Sequence, residues 1–466
     1  VTPRPYQSRT LSDARGCFAA GKRAVLIVSP TGSGKTCIAA WIARGHVDKS
    51  PRNRVVWLAH RGELLDQAAG ALHGVDLCVG LRGVNAYAAV QCCSIQALTR
   101  RREAPEGTLI IADEAHHLAE GNGWTDLTRT YLTAGARIVG LTATPARADD
   151  QALHGFDALV LAAQIGELQA LGHLVPLRLK RPTSFLRPDR IAQKPVDAFY
   201  EHANARSTVV FAPHVKAAEQ YVYEFRGLGV SCEMVTGKTP ADKRARMLGH
   251  FNTGDIRVLV NVGVLTEGWD SPICSCIILA RGCGSQALYM QMTGRALRPY
   301  AGKSDALLID LRGVSWLLGR PDQDRDYSLE GKGIILRGAS ATERMCPVCG
   351  LPLGDAATCP ECGRETEQVI PQATGEKLVD WDEQAHEAVK DQLKPNRAVL
   401  SLAGMMRKYG ERRAINMFRG IFKRHPDART VAQAHAFNHA KDGAIAPFAV
   451  DEMGDTTDGG SECTRQ

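Results

Sequence analysis

Two short stretches carry residues whose types and spacing can do phosphate chemistry. Residues 29–36 read SPTGSGKT. The small residues and glycines Thr31, Gly32, Ser33 and Gly34 let backbone N–H groups turn inward around phosphate oxygens, and a helix starting there adds its positive end. Lys35 is then set to pair with β- and γ-phosphates, and Thr36 to place its hydroxyl on Mg2+. The full pattern asks for glycine at position 29, where Ser29 stands. Residues 108–117 read TLIIADEAHH, an apolar run ending in two acids and two histidines. The bland reading of those acids is the point where a buried strand reaches water. Downstream of a GKT loop there is a chemical reading: Asp113 holds the metal, and Glu114 orients and deprotonates an attacking water. His116 is then placed to report nucleotide state to neighbouring elements.

A third cluster is MCPVCGLPLGDAATCPECG (345–363), two C-P-x-C-G knuckles separated by nine residues. Cys346, Cys349, Cys359 and Cys362 suit a tetrahedral Zn2+, and a closed shell of four thiolates argues for structure over catalysis. The other ten of the 14 cysteines follow no ligand-like spacing. They read as small core hydrophobes in a reducing compartment.

The elements that must position these residues follow an α/β rhythm. Apolar runs at 24–29, 54–59, 108–113 and 137–143 alternate with helix-like stretches such as GELLDQAAGALH. That alternation predicts a doubly wound parallel sheet with helices on both faces. The proline-rich stretch RPTSFLRPDRIAQKP reads as a linker. Alternation resumes at 208–212, 231–237, 256–265, 274–280 and 305–311, so two α/β units stand in tandem. We expect domains at 1–180 and 197–335 joined by a linker at 181–196. A four-cysteine module at 340–370, a basic helical region at 376–450 and an acidic disordered tail at 451–466 follow. The 466 residues are 44% hydrophobic and 23% charged, the balance of a globular protein, and no apolar run approaches a membrane span. No secretory signal opens the chain, so the cytoplasm of a bacterium, or a phage gene expressed there, is the expected setting. A net charge of +7 permits a polyanionic partner without demonstrating one.

With the phosphate loop and DEAH in place, the chain resembles a superfamily 2 helicase of the DEAD/DEAH-box kind, and further stretches match that family's motif series in order. RPYQ (4–7) resembles the adenine-reading segment, which implies contacts from Gln7 and Arg4. WLAHRGELLDQ (57–67) and SIQAL (94–98) resemble segments that touch the nucleic-acid backbone, implying His60, Arg61, Ser94 and Gln96. LTATPAR (141–147) resembles the coupling motif through Thr142 and Thr144. VVFAPHVKAAE (209–219) is similar to the fourth motif. GVLTEGWDSP (263–272) is similar to the fifth, with Thr266 facing the strand and Gly268 and Asp270 nearer the nucleotide. QMTGRALRP (291–299) fits the sixth. The resemblance spans residues 3–315 and implies two RecA-like domains. Its physical logic is that phosphoryl transfer needs positive charge at the transition state. Arg295 and Arg298, three apart on an expected helix, would share one face and complete the site from the second unit.

Two motor units followed by four spaced cysteines resemble the RadD-type bacterial DNA repair helicases. That implies ATP, Mg2+ and Zn2+ as cofactors, DNA in preference to RNA, no membrane, a monomer, and a repair or recombination protein as further partner. Bases outnumber acids over 394–429, which suits either a solvated helix face or a duplex-holding surface. The expected activity is ATP-driven movement on, or unwinding of, DNA. An RNA helicase, or a DNA-binding remodelling ATPase that separates no strands, stays open beside it.

Overall fold

The computed structural model describes residues 2–81, 87–100, 105–117, 123–145, 153, 155–186, 189–266, 268–283, 286–329, 370–383 and 386. All of them fall within the unit Val1–His386. Seven strands build the first sheet: β1 (Ala24–Val28), β2 (Val55–Ala59), β3 (Val79–Leu81), β4 (Val90–Ser94), β5 (Leu109–Ala112), β6 (Arg137–Thr142) and β7 (Ala158–Leu161). They run parallel in the order β3-β4-β2-β5-β6-β1-β7.

Parallel sheets are covered on both faces, so their strands are apolar at every position rather than at alternate ones. β1, β2 and β5 are buried throughout. Leu26, Val28, Ile110 and Ile138 pack into one core, while Val25, Ile27, Ile111 and Val139 pack into the other. The helix Gly62–His73 shows the expected stripe, burying Leu64, Leu65, Ala68, Ala69 and Leu72.

The second lobe repeats the plan with β8 (Leu177–Arg181), β10 (Thr208–Phe211), β11 (Cys232–Thr236), β12 (Val258–Val262), β13 (Cys276–Leu279) and β14 (Ala306–Asp310). Its edge strand is β16 (Val379–Asp380), and β9 (Arg190–Ile191) pairs separately with β15 (Gln372–Ala373). The order is β11-β12-β10-β13-β14-β8-β16, parallel except for β16 on β8. Val209, Phe211, Ile277 and Leu279 face one core; Val210, Val260, Ile278 and Ile309 face the other.

Two expected boundaries move. β8 already belongs to the second sheet, so the crossover between lobes runs from β7 to β8, ahead of the expected 181–196 linker. Pro182 and Pro195 both lie inside the second lobe. Pro182 O accepts a hydrogen bond from Trp316 Nε1 (2.9 Å), and Pro195 opens the helix Pro195–His202, where a missing N–H costs nothing. The expected helical region at 376–450 also begins with a strand, because β16 pairs with the otherwise open edge of β8. There Arg181 lies 3.5 Å from the Trp316 ring centroid and 4.1 Å from that of Trp381, a cation–π sandwich holding the returning chain.

The cysteine expectation holds for Cys92, Cys232, Cys274, Cys276 and Cys283, which are buried, and not for Cys37 and Cys78, which are exposed. The four spaced cysteines, the rest of the basic region and the acidic tail lie outside the described residues. Among the described residues no helix is long and apolar enough to cross a membrane.

Candidate active site between the two lobes

In a parallel sheet every strand delivers its carboxyl end to the same rim, where loops can meet. The phosphate loop leaves β1, the acids leave β5, and β6 runs between them, ending at Thr142. Ser29 N donates to Thr142 O (2.9 Å), which ties the loop to that central strand.

Gly32 and Gly34 have φ of +87° and +79°, a region that glycine enters without a steric cost. A side chain would also crowd its neighbours. A Cβ on Gly34 would lie 2.9 Å from Gln7 Nε2, and one on Gly32 would lie 3.2 Å from both Arg298 Cγ and Leu174 Cδ2. The serine that replaces the pattern's first glycine is used: Ser29 Oγ donates to Ser33 Oγ (2.6 Å), whose own hydroxyl donates to Pro30 O (2.7 Å). The helix Lys35–Val47 starts directly after Gly34. Lys35 Nζ donates to Ser29 O (3.1 Å) and Pro30 O (3.4 Å). Burial pulls the lysine pKa down; the Glu114 and Asp113 carboxylates oppose that, while Arg295 and Arg298 add to it. Cations of the second lobe therefore bear on the phosphate-loop lysine.

Asp113 is buried, and burial followed by repulsion from Glu114 raises its pKa, with Lys35 acting against the shift. Its Oδ1 accepts from Glu114 N (3.0 Å). Glu114 has φ +51°, in the left-handed region where a non-glycine residue stores about 1–3 kcal/mol of strain.

His116 joins the lobes. Its Nδ1 lies 3.3 Å from Glu114 Oε2 and 3.4 Å from Thr142 Oγ1, and its Nε2 lies 3.3 Å from Gln291 Nε2. The Thr142 hydroxyl already donates to Thr144 O (2.6 Å), so His116 must donate from Nδ1 and accept from the Gln291 amide at Nε2.

Arg295 and Arg298 reach the crevice, though not from one helix face as expected. The helix Gln286–Gly294 ends, a 3-10 turn covers Arg295–Leu297, and Arg298 is extended (ψ 137°). Pro299 explains this, because a residue preceding proline is pushed out of the helical region. Arg295 is buried and donates to Trp269 O and to Thr266 O (2.6 Å). Arg298 pairs with Asp270 and lies against Gly32. Gly294 touches the loop directly: a Cβ there would lie 2.9 Å from Thr31 Cβ.

At the loop's other side, Gln7 Oε1 accepts from Arg4 N (2.9 Å), and Tyr6 Oη donates to Ser33 O (2.5 Å). Thr36 is half-buried beside Lys35. Among the described residues no group of three or more His, Cys, Asp or Glu is arranged for a metal. Mg2+ held by one hydroxyl, one carboxylate and substrate phosphates needs none.

The residues expected at nucleic acid divide. Ser94 Oγ donates to Gln96 Oε1 (2.7 Å), and Gln96 Nε2 donates to His60 O (3.1 Å), one cluster at the carboxyl ends of β2 and β4. Arg61 crosses to the second lobe, donating to Val264 O (3.1 Å), and Thr266 is buried. Gly268 has φ +70° and its carbonyl accepts from Gln67 Nε2 (3.0 Å). Three contributors had no role assigned from sequence: Tyr6, Gln291 and Gly294. Each lies inside a motif already quoted, so position in the motif was the available signal.

Comparison with known proteins agrees with this geometry. A family model described as "Type III restriction enzyme, res subunit" matches residues 1–147, and "Helicase conserved C-terminal domain" matches 192–300. A "51.5 kDa protein" of a Lactococcus phage is 29% identical over 370 residues, covering 73% of this chain and 78% of the relative. The "Putative mitochondrial ATP-dependent helicase irc3" of Schizosaccharomyces pombe is 30% identical over 352 residues; the chain spans 58% of its length, and 67% of this chain is covered. The "DNA 3'-5' translocase XPB2" of Sulfurisphaera tokodaii is 37% identical over 78 residues, 17% of each chain. Among solved structures, "ATP-dependent Type ISP restriction-modification enzyme LlaBIII bound to DNA" shares the fold, with a TM-score of 0.52 at 17% identity over 71% of this chain and 29% of that one. With both helicase lobes recognised in order and their motifs converging on one crevice, the chain belongs to the superfamily 2 helicases.

Proposed function

We propose that the protein is a DNA-dependent ATPase motor, a helicase or translocase that couples ATP hydrolysis to movement on DNA. The observation that carries the reading is the packing of the arginine segment onto the phosphate loop, Gly294 on Thr31 and Arg298 on Gly32. Groups from both lobes thereby converge on the loop that would cradle a triphosphate.

The glycine cradle, the Lys35 ammonium and the Thr36 hydroxyl form a donor set suited to a magnesium-bound triphosphate. Thr36 and Asp113 would hold Mg2+, which would neutralise phosphate charge there. Lys35 exchanges its loop carbonyls for β- and γ-phosphate oxygens. Glu114, already aimed by its strained backbone, accepts the proton of the attacking water. Arg295 and Arg298 answer the charge that develops on the transferring group; an arginine in this role is worth about a thousandfold or more in rate. His116 and Gln291 let the second lobe register that Glu114 has changed partners.

DNA as the track is supported by the printed name of the archaeal relative, and the net charge of +7 is compatible with any polyanion. His60, Ser94 and Gln96 are the proposed contacts. The finer reading, a RadD-type repair helicase with Zn2+ on Cys346, Cys349, Cys359 and Cys362, rests on the paired C-P-x-C-G knuckles and is checked by the metal content of the purified protein. ATP turnover measured with single-stranded, duplex and forked DNA and with RNA tests the function. Stimulation by a DNA form well above that by RNA is expected; stimulation by RNA alone would overturn the DNA reading.

A further inference from the structure

The crossover between lobes touches more of the site than a connector needs to. The helix Ile165–Ala170 ends, Gly172 turns at φ +68°, and His173 N and Leu174 N both donate to Leu168 O (2.8 and 3.1 Å). Those bonds fix where the next three side chains go. The His173 ring centroid lies 5.7 Å from that of Tyr6, at 51° between planes. Leu174 is the side chain that a Cβ on Gly32 would meet at 3.2 Å. Val175 N donates to Leu297 O (2.8 Å), beside the arginines. Tyr6 itself is buried in the second lobe's core cluster while its hydroxyl holds Ser33 O.

A triphosphate in the loop must send its base away from Asp113 and Glu114, past Gly34, towards Gln7 and Arg4. His173 stands on that side, half-buried, next to Tyr6. We propose that His173 forms one face of the nucleobase site, so that the base of a bound nucleotide stacks on the crossover itself and purines are favoured over pyrimidines. This deepens the reading of the loop as an ATP site and rests on it. The chemistry of the ring fits a stacking role. Burial, then the charge of Arg4, lowers the imidazole pKa, which favours the uncharged ring that can lie against a π-face. The larger ring of a purine gains more from that face than a pyrimidine does.

The test uses the full chain and two inhibitors of ATP turnover, ADP and inorganic pyrophosphate. His173→Ala should weaken ADP by about tenfold and leave pyrophosphate unchanged, and His173→Phe should return ADP to within about twofold of the unaltered protein. A purely structural role would weaken both inhibitors alike and gain nothing from phenylalanine; that result overturns the proposal. So does an ADP affinity that alanine leaves intact. His173→Gln, which removes the ring and keeps polarity, serves if the alanine variant does not fold. Lys35→Ala separates the two layers. If it hydrolyses ATP normally, the loop reading falls; if it is inactive while His173→Ala binds ADP normally, only the base site falls.

Discussion

The lobes meet along two seams, and the seams are built differently. The phosphate-side seam is close-packed: Gly294 has no room for a Cβ beside Thr31, Arg298 lies on Gly32, and buried Gln291 meets buried His116. The other seam is polar and open. Arg61 donates to Val264 O, Gln67 to Gly268 O, and Arg244 pairs with Glu63 at 3.5 Å with half of the glutamate side chain exposed. Buried contacts of the first kind permit few arrangements, whereas exposed hydrogen bonds and ion pairs are worth about 1 kcal/mol or less and exchange readily with water. The lesson is a division of labour. The tight seam can transmit the chemical state of the nucleotide, and the loose seam can slide as the lobes shift on a strand.

That contrast can be broken from the tight side first. Gly294→Val would thrust a branched side chain into Thr31 and hold the arginines off the loop by the order of an ångström. A displacement of that size costs about a hundredfold in turnover, and ATP turnover at saturating nucleotide checks it against an unchanged thermal midpoint. Gln291→Ala should cost about tenfold, because it removes the buried contact that links His116 to the second lobe. A double-mutant cycle with His116→Ala sharpens the claim: the two losses should fail to add, with a coupling of about 1 kcal/mol. Gln67→Ala, on the loose seam, should change turnover by about twofold at most, since water replaces the bond to Gly268 O. A loss there as large as for Gly294→Val would abolish the distinction between the seams.

How much of this was legible in the sequence depended on distance along the chain. AVLIV, VVWLA and LIIA announce central strands because burial on both faces leaves no polar position. β3, β9, β15 and β16 announce nothing: they are two or three residues long, and a partner strand, not their composition, makes them strands. The prolines at 182–195 misplaced the lobe boundary because proline marks a turn without saying which elements the turn joins. The loop and the acids could be read because each is contiguous. The contact of His116 with Gln291, 175 residues apart, and that of Tyr6 with Ser33, 27 apart, exist only once the sheets bring their rims together. Pro299 was visible from the start, and its effect on Arg298 was the one local signal that spoke against a shared helix face.

The central claim is that one nucleotide is worked on by both lobes. Arg295→Ala tests it most directly, with ATP affinity and single-turnover hydrolysis measured on the same preparation. A site shared between lobes predicts hydrolysis slowed by about a thousandfold with affinity for ATP held within about threefold. Hydrolysis at the unaltered rate, with Arg295 gone and the protein folded, would contradict it.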